Sequence, residues 1–552
     1  MSETPGGETS GGETPAPRKQ GFIRSSIIYA GLTLVSRFMG AARDLVISAR
    51  VGASLTPAAD ALNTALAFPN LFRRIFAEGA FSSAFLPAYA RDLTQKGEGE
   101  ADRMAADALA FIAACTIVLT IAAQLAMPWL MMLINPGYVD DAGKYKLAVA
   151  LTQITMPYLP CMAVAALLSG VLNAHGRFIL SAAAPTMWNA AMLIAVIPQH
   201  DATATANAAS WATLAAGLMQ AGALWWGCWK TGAKIRLHVP RLTPEIKQVL
   251  KLTIPGTIAQ GATTLNIFIS QILASHTPGA RSWLVVADRF YQLPISLVGV
   301  AIGVALLPRL SQAIAAEDKA DAQTSMDQAL IFAMALALPA GAALASMPYY
   351  LVDGLWTRGA FTHEDAAQTA GALFYYGLGV PAFVLNRVLQ PAFFARQDTA
   401  SPMRFGLISV AVNIAAGVAL YQVMGVAGIA AATAIASWLS TAQMAFTLAR
   451  RGHYTPTQAA WGRLIRVTLA SAVLGALLAA ASHWRAVIEA PLAGVNFAGF
   501  RAKEVAILGL SMLGAGLYPF LLFAFGGLTM GEIRLALRRV PGARTADLPG
   551  AD

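Results

Sequence analysis

Fourteen stretches of this chain run for about twenty residues or more on mostly apolar side chains, the length a helix needs to cross a bilayer. They lie at roughly 22–48, 60–92, 106–134, 146–173, 179–198, 207–230, 245–273, 283–313, 325–350, 366–395, 403–421, 424–449, 460–483 and 504–527. Inside lipid each backbone N–H and C=O needs a partner within the protein, and a continuous apolar run finds those partners by coiling into a helix. The expected fold is therefore an all-α polytopic membrane protein with about 14 transmembrane helices. Composition agrees: 12% of the 552 residues are charged and 57% are hydrophobic, whereas soluble domains carry about 25% charge.

Alternating helix direction sorts the loops into two sets. One set holds Arg18, Lys19, Arg24, Arg91, Lys96, Arg103, Arg177, Arg309, Lys319, Arg396 and Arg404. It also takes the Lys/Arg run between 230 and 251, Arg450, Arg451, Arg463, Arg466 and the C-terminal Arg534, Arg538, Arg539 and Arg544. The other set has far fewer, among them Arg50, Lys144, Lys146, Arg281, Arg358, Arg485, Arg501 and Lys503. Basic loops stay on the cytoplasmic side, so both termini are expected there. The same bias accounts for the net charge of +10 without invoking nucleic acid. Residues 1–20, rich in Gly, Glu, Thr, Ser and Pro, have no apolar core and read as a disordered cytoplasmic tail. Residues 528–552 form a second cytoplasmic tail. Cys115, Cys161 and Cys228 lie in separate apolar segments without CxxC spacing, as free thiols would.

The chain also matches itself at an offset near 221: Phe85-Leu86-Pro87 with Leu306-Leu307-Pro308, Ala108–Phe111 with Ala329–Phe332, and Pro160 with Pro381. Met127-Pro128 falls on Met347-Pro348 at an offset of 220. Prolines at one offset are informative because a helix kink is a positional device. The expected organisation is two parallel six-helix lobes, 21–231 and 242–451, followed by a helix pair over 459–527. Parallel repeats of this kind suit alternating access.

The chemistry sits in charges placed within apolar sequence: Arg37, Arg43 and Asp44 in the first span, Asp60, Arg73, Arg74 and Glu78 in the second, Asp288 and Arg289 in the eighth. A charge at membrane depth is costly; it faces a wet cavity or pairs with another charge. Arg74 and Glu78 are four apart and can pair, leaving Arg73 as the freer cation. Asp44 and Asp288 read as ion-pair partners of the adjacent arginines. The set is net positive and rich in guanidinium, which holds phosphate through two parallel hydrogen bonds. Two bland readings stand beside this one: charges that staple helices together, and interfacial residues that snorkel outward. No HExxH, P-loop, nucleophile elbow or metal-spaced ligand set occurs in the sequence, so a transporter is expected rather than an enzyme, with no metal and no cofactor.

The segments SRFMGAARD, ADALNTALAFPNLFRRIFAEGAFSSAFLPAYA and ADRFYQLPISLVGVAIGVALLPRLS closely resemble the MurJ (MviN) family of the MOP exporter superfamily, over about residues 21–527. That resemblance implies a bacterial inner-membrane flippase for lipid II, the undecaprenyl-pyrophosphate-linked peptidoglycan precursor. It implies a central cationic cavity between the lobes and a groove for the lipid tail on the last two helices. Residue by residue it assigns substrate binding to Arg37, Arg43, Asp60, Arg73, Arg74, Glu78 and Arg289, with Asp44 and Asp288 as supporting ion pairs. Expected partners are lipid II, membrane lipids and other cell-wall synthesis proteins; transport coupled to membrane potential or to an ion is also expected. The alternatives are a flippase for another lipid-linked oligosaccharide, a drug exporter, a membrane enzyme acting on polyprenyl phosphates, and a scaffold of cell-wall synthesis.

Overall fold

The computed structural model describes residues 19–73, 80–233, 235, 238–241, 243–244, 247, 267–492, 494 and 501–527. Among these residues the chain is helical, with no strand. The helices are α1 Lys19–Val51, α2 Pro57–Arg73, α3 Ala80–Gln95, α4 Glu98–Ile134, α5 Ala142–Thr155, α6 Tyr158–Ala174, α7 Phe178–Val196 and α8 Ala202–Lys230. Then come α9 over 267–275, α10 Ala280–Ala315, α11 Lys319–Ser346, α12 Pro348–Trp356, α13 His363–Phe394, α14 Ala400–Met424 and α15 Val426–Arg450. The chain ends with α16 Gln458–His483, the short α17 Arg485–Glu489 and α18 Ala502–Ala524. Nine helical stretches among the described residues are long and apolar enough to cross a membrane. The expected fourteen include segments partly outside those residues, such as 245–273.

Helix starts follow local chemistry. Asp141, Asp201, Asp318 and Thr457 each accept a hydrogen bond from a backbone N–H of the first turn, and Thr362 forms a reciprocal capping box with Asp365. Two expected spans are broken by proline. The stretch 146–173 divides into α5 and α6 at Met156-Pro157, and 325–350 divides into α11 and α12, where Pro348 takes the first helical position. Proline has no N–H to continue the ladder but fits a first turn. The aligned Pro128 behaves differently and stays inside α4.

Packing relies on small residues, as expected where lipid removes the hydrophobic drive between helices. A Cβ built on Gly341 of α11 would lie 2.7 Å from the Gly377 carbonyl of α13, so the two backbones touch there. One large buried apolar cluster runs through α10–α13, α15, α16 and α18, and includes Ala53 from the turn after α1. Three others form among α1–α8. Direct bonds join the first group of helices to the second at the end of the molecule carrying Val51, Pro57, Gly279 and Thr362. There the Ala360 N–H donates to the Ala49 carbonyl at 2.8 Å, and the Ser54 hydroxyl donates to Asp365 Oδ1 at 2.6 Å.

Candidate functional site

Ser36, Gly40 and Arg43 recur at helical spacing and place one face of α1 against α7. Arg43 is buried there. Its Nη1 donates to Asn189 Oδ1 at 2.8 Å, and its Nε and Nη2 donate to Asp44 Oδ1 at 2.9 and 2.6 Å. The guanidinium carbon lies 4.2 Å from the centre of the Trp188 ring. Asn189 in turn donates through Nδ2 to the Ser36 carbonyl at 2.9 Å, so its amide orients Arg43 against its own helix.

The other carboxylate oxygen of Asp44 meets Arg289 Nε of α10 at 2.9 Å. One carboxylate thus bridges two guanidiniums from the two groups of helices, and the trio keeps one positive charge. The Arg289 side chain is 44% exposed. Arg37, two turns before Asp44, is also exposed. Asp288 accepts from Gln292 one turn along. Beside this cluster the Tyr291 ring packs on Tyr376 and Phe383, with centroids 4.6 and 5.3 Å apart.

Asp60 stands apart from the arginines. It is buried, and its Oδ2 accepts from Lys144 Nζ at 2.7 Å and from the Gly279 N–H at 2.8 Å. Its Oδ1 accepts from the Ser282 N–H and hydroxyl at 3.3 and 3.2 Å. The carboxylate therefore caps the start of α10 and ties α2 to it, with no lone pair directed to solvent. Burial, followed by the nearby Asp60 charge, pushes the Tyr138 phenol well above its usual range. Nearby, Asp365 Oδ1 accepts from the Ser54 N–H and hydroxyl and from Trp283 Nε1, and its Oδ2 from Thr362.

The structure thus brings Arg43, Asp44 and Arg289 together and sets Asp60 in a separate buried cluster. The Arg73 side chain, Arg74 and Glu78 lie outside the described residues. Sequence reasoning missed Trp188, Asn189, Lys144, Ser54, Trp283 and Asp365. An Asn within the apolar run AAAPTMWNAAMLIAV was a usable signal, since a buried amide needs partners. Lys144 was placed among loop residues, and nothing local betrays its reach to Asp60.

Asp44 therefore bridges arginines of the two helix groups. The family model described as lipid II flippase MurJ matches residues 47–497. The chain belongs to the MurJ family. A probable lipid II flippase MurJ of Rhizobium tropici is 38% identical over 532 residues, 95% of this chain and 98% of the relative. A lipid II flippase MurJ of Burkholderia cenocepacia is 31% identical, over 91% and 97%. Among solved structures, a lipid II flippase MurJ in an inward closed conformation superposes with a TM-score of 0.71 at 21% identity, covering 90% of this chain and 98% of that one. An inward-facing multidrug resistance MATE transporter of the MOP superfamily gives 0.62 at 14% identity, over 77% and 98%. Members of the MurJ family are transporters, and this chain is a multi-pass membrane transporter of that fold.

Proposed function

We propose that this chain flips lipid II from the cytoplasmic to the periplasmic leaflet of a bacterial inner membrane, with both termini cytoplasmic. The observation that carries the reading is the Arg43–Asp44–Arg289 bridge, half-exposed at Arg289. Asp44 neutralises one guanidinium and fixes both, so the second is held in place, still charged, for the pyrophosphate. Arg37, Arg73, Arg74 and Glu78 belong to the same anion site, with Asp288 supporting Arg289. Asp60, saturated with donors in this conformation, holds the periplasmic end closed.

Transport proceeds by rocking of two six-helix lobes, 21–231 and 242–451, about the bridge, with the 459–527 helix pair carrying the lipid tail. A membrane potential negative inside favours outward passage of each negative charge by about 2.3 kcal/mol per 100 mV. Contacts with other cell-wall synthesis proteins belong to the same proposal.

The test is reconstitution in liposomes with labelled lipid II and with a lipid-linked oligosaccharide of different head group, assayed for sidedness under an imposed potential. Lipid II movement that is lost in Arg37→Ala and Arg289→Ala supports the assignment. Normal movement in both variants overturns the arginine site, and movement of the second lipid alone overturns the substrate.

A further inference from the structure

The loop between α12 and α13 is held from two sides at once. On one side, Gly359 and Gly52 both have positive φ, 59° and 73°. A Cβ on Gly359 would lie 2.0 Å from the Ala49 carbonyl, and one on Gly52 would lie 2.6 Å from the Ala360 carbonyl. Only glycine allows both the turn and the approach, and the Ala360 N–H bonds to Ala49 across this contact. Phe361 beside it is buried.

On the other side, the start of α18 grips the same residues. Lys503 Nζ donates to the carbonyls of Thr357 and Asp353, at 2.6 and 3.1 Å. Arg358 meets Glu504 Oε1 at 3.1 Å, while Glu504 Oε2 accepts from the Arg501 N–H at 2.6 Å. Gly354 of α12 lies against Ile507, where an added Cβ would come within 2.9 Å. Arg485, the first residue of α17, pairs with Asp353 at 3.2 Å.

We infer that Thr357–Thr362 is a coupling strap that links the C-terminal helix pair to closure of the seal at Ser54, Asp60 and Asp365. The inference rests on the reading that this end of the molecule opens during transport. Opening separates Ala360 from Ala49 and Ser54 from Asp365. The strap is only six residues long and is bonded to α1 on one side and to α18 on the other, so how well it fits α1 depends on how α18 holds it. The two events share one element. By reciprocity, whatever binds the α16–α18 surface differently in the two states, an acyl chain above all, shifts the closure equilibrium by the same factor that closure shifts its binding.

The experiment uses the full chain in lipid nanodiscs with Cys115→Ala, Cys161→Ala and Cys228→Ala, and Ala53→Cys as reporter. Ala53 is buried in the closed seal, so labelling of the new thiol by a charged maleimide reports opening. Asp365→Asn and the milder Ser54→Ala break the seal directly and set the scale. Lys503→Met and Glu504→Gln cut the strap from the α18 side only; both are expected to raise the labelling rate by about fivefold or more, the lower range of an allosteric coupling. Tyr518→Phe weakens the contact between α16 and α18 without touching the strap, and is expected to leave the rate unchanged. Faster labelling in the seal variants with no change in Lys503→Met and Glu504→Gln refutes the strap and leaves the opening intact. No change in any variant, the seal variants included, sinks the opening itself. An equal rise in Tyr518→Phe refutes the strap too, because general loosening then accounts for the effect.

Discussion

Asp44 and Arg289 meet at 2.9 Å across two helices whose other neighbours are almost wholly separate. The same carboxylate holds Arg43. Two guanidiniums on one carboxylate make a site that stays positive while remaining fixed, the electrostatic requirement for gripping an oxyanion in a poorly polarisable surrounding.

Replacing Asp44 therefore damages more than a pair. Asp44→Asn leaves Arg43 and Arg289 facing each other without a counter-charge. Lipid II flipping is expected to be lost, and thermal stability to fall by about 1–3 kcal/mol, the cost of weakening hydrogen bonds at a bridge that is only partly buried. Melting of the purified protein and transport in proteoliposomes measure the two effects. Arg289→Lys, which keeps the charge but not the fork, should retain stability and lose most transport. If Arg289→Lys transports normally, bidentate binding is wrong.

Asn189 holds Arg43 by one amide atom and the Ser36 carbonyl by the other. Asn189→Ala removes both bonds inside an apolar packing, at a cost of about 1–3 kcal/mol. Transport is expected to fall more through weaker substrate affinity than through maximal rate, because Arg43 loses its set direction rather than its charge. A concentration series of lipid II in the flipping assay separates the two; an unchanged half-saturation point would falsify the positioning role.

The helices were legible because the bilayer imposes a length and a composition that few other environments do. Proline breaks were less so. Pro348 starts a helix and Pro128 sits within one although the sequence aligns them, because the outcome depends on whether neighbouring helices supply the missing contacts. Arg43, Asp44 and Arg289 stood out as charges in apolar runs, and the adjacency of Arg43 and Asp44 gave their pairing. The second bond of Asp44, the reach of Lys144 to Asp60 and the clamp on Asp365 join residues far apart in the chain. No local pattern encodes those distances; they follow from how the two groups of helices meet.

The Asp60–Lys144 contact, 2.7 Å long and shielded from solvent, lends itself to a double-mutant cycle. Lys144→Met alone leaves a buried carboxylate without its counter-charge, and Asp60→Asn alone leaves a buried ammonium without one; each is expected to cost about 3–5 kcal/mol. The double variant should cost clearly less than the sum, with the shortfall measuring the coupling. Purely additive losses in thermal melts would show that the two side chains do not stabilise each other.

At the opposite, basic end, His453 follows α15 close to Arg396 and Arg451. Burial, then those two guanidiniums, lower its pKa from the ordinary 6.5, and the Asp398 carboxylate opposes this. Asp398 itself is held down at about 2 by hydrogen bonds from Ser401 and Arg451, so it stays charged throughout the range in which His453 titrates. A histidine with a depressed folded-state pKa binds fewer protons folded than unfolded, so stability rises with pH through its titration and is lost below the unfolded value. The wild-type protein is expected to lose melting temperature relative to His453→Gln as pH falls from 7.5 to about 5.5, through the unfolded histidine value near 6.5. Melting curves of the two proteins that stay parallel across this range would show that the pKa of His453 is not depressed in the folded state.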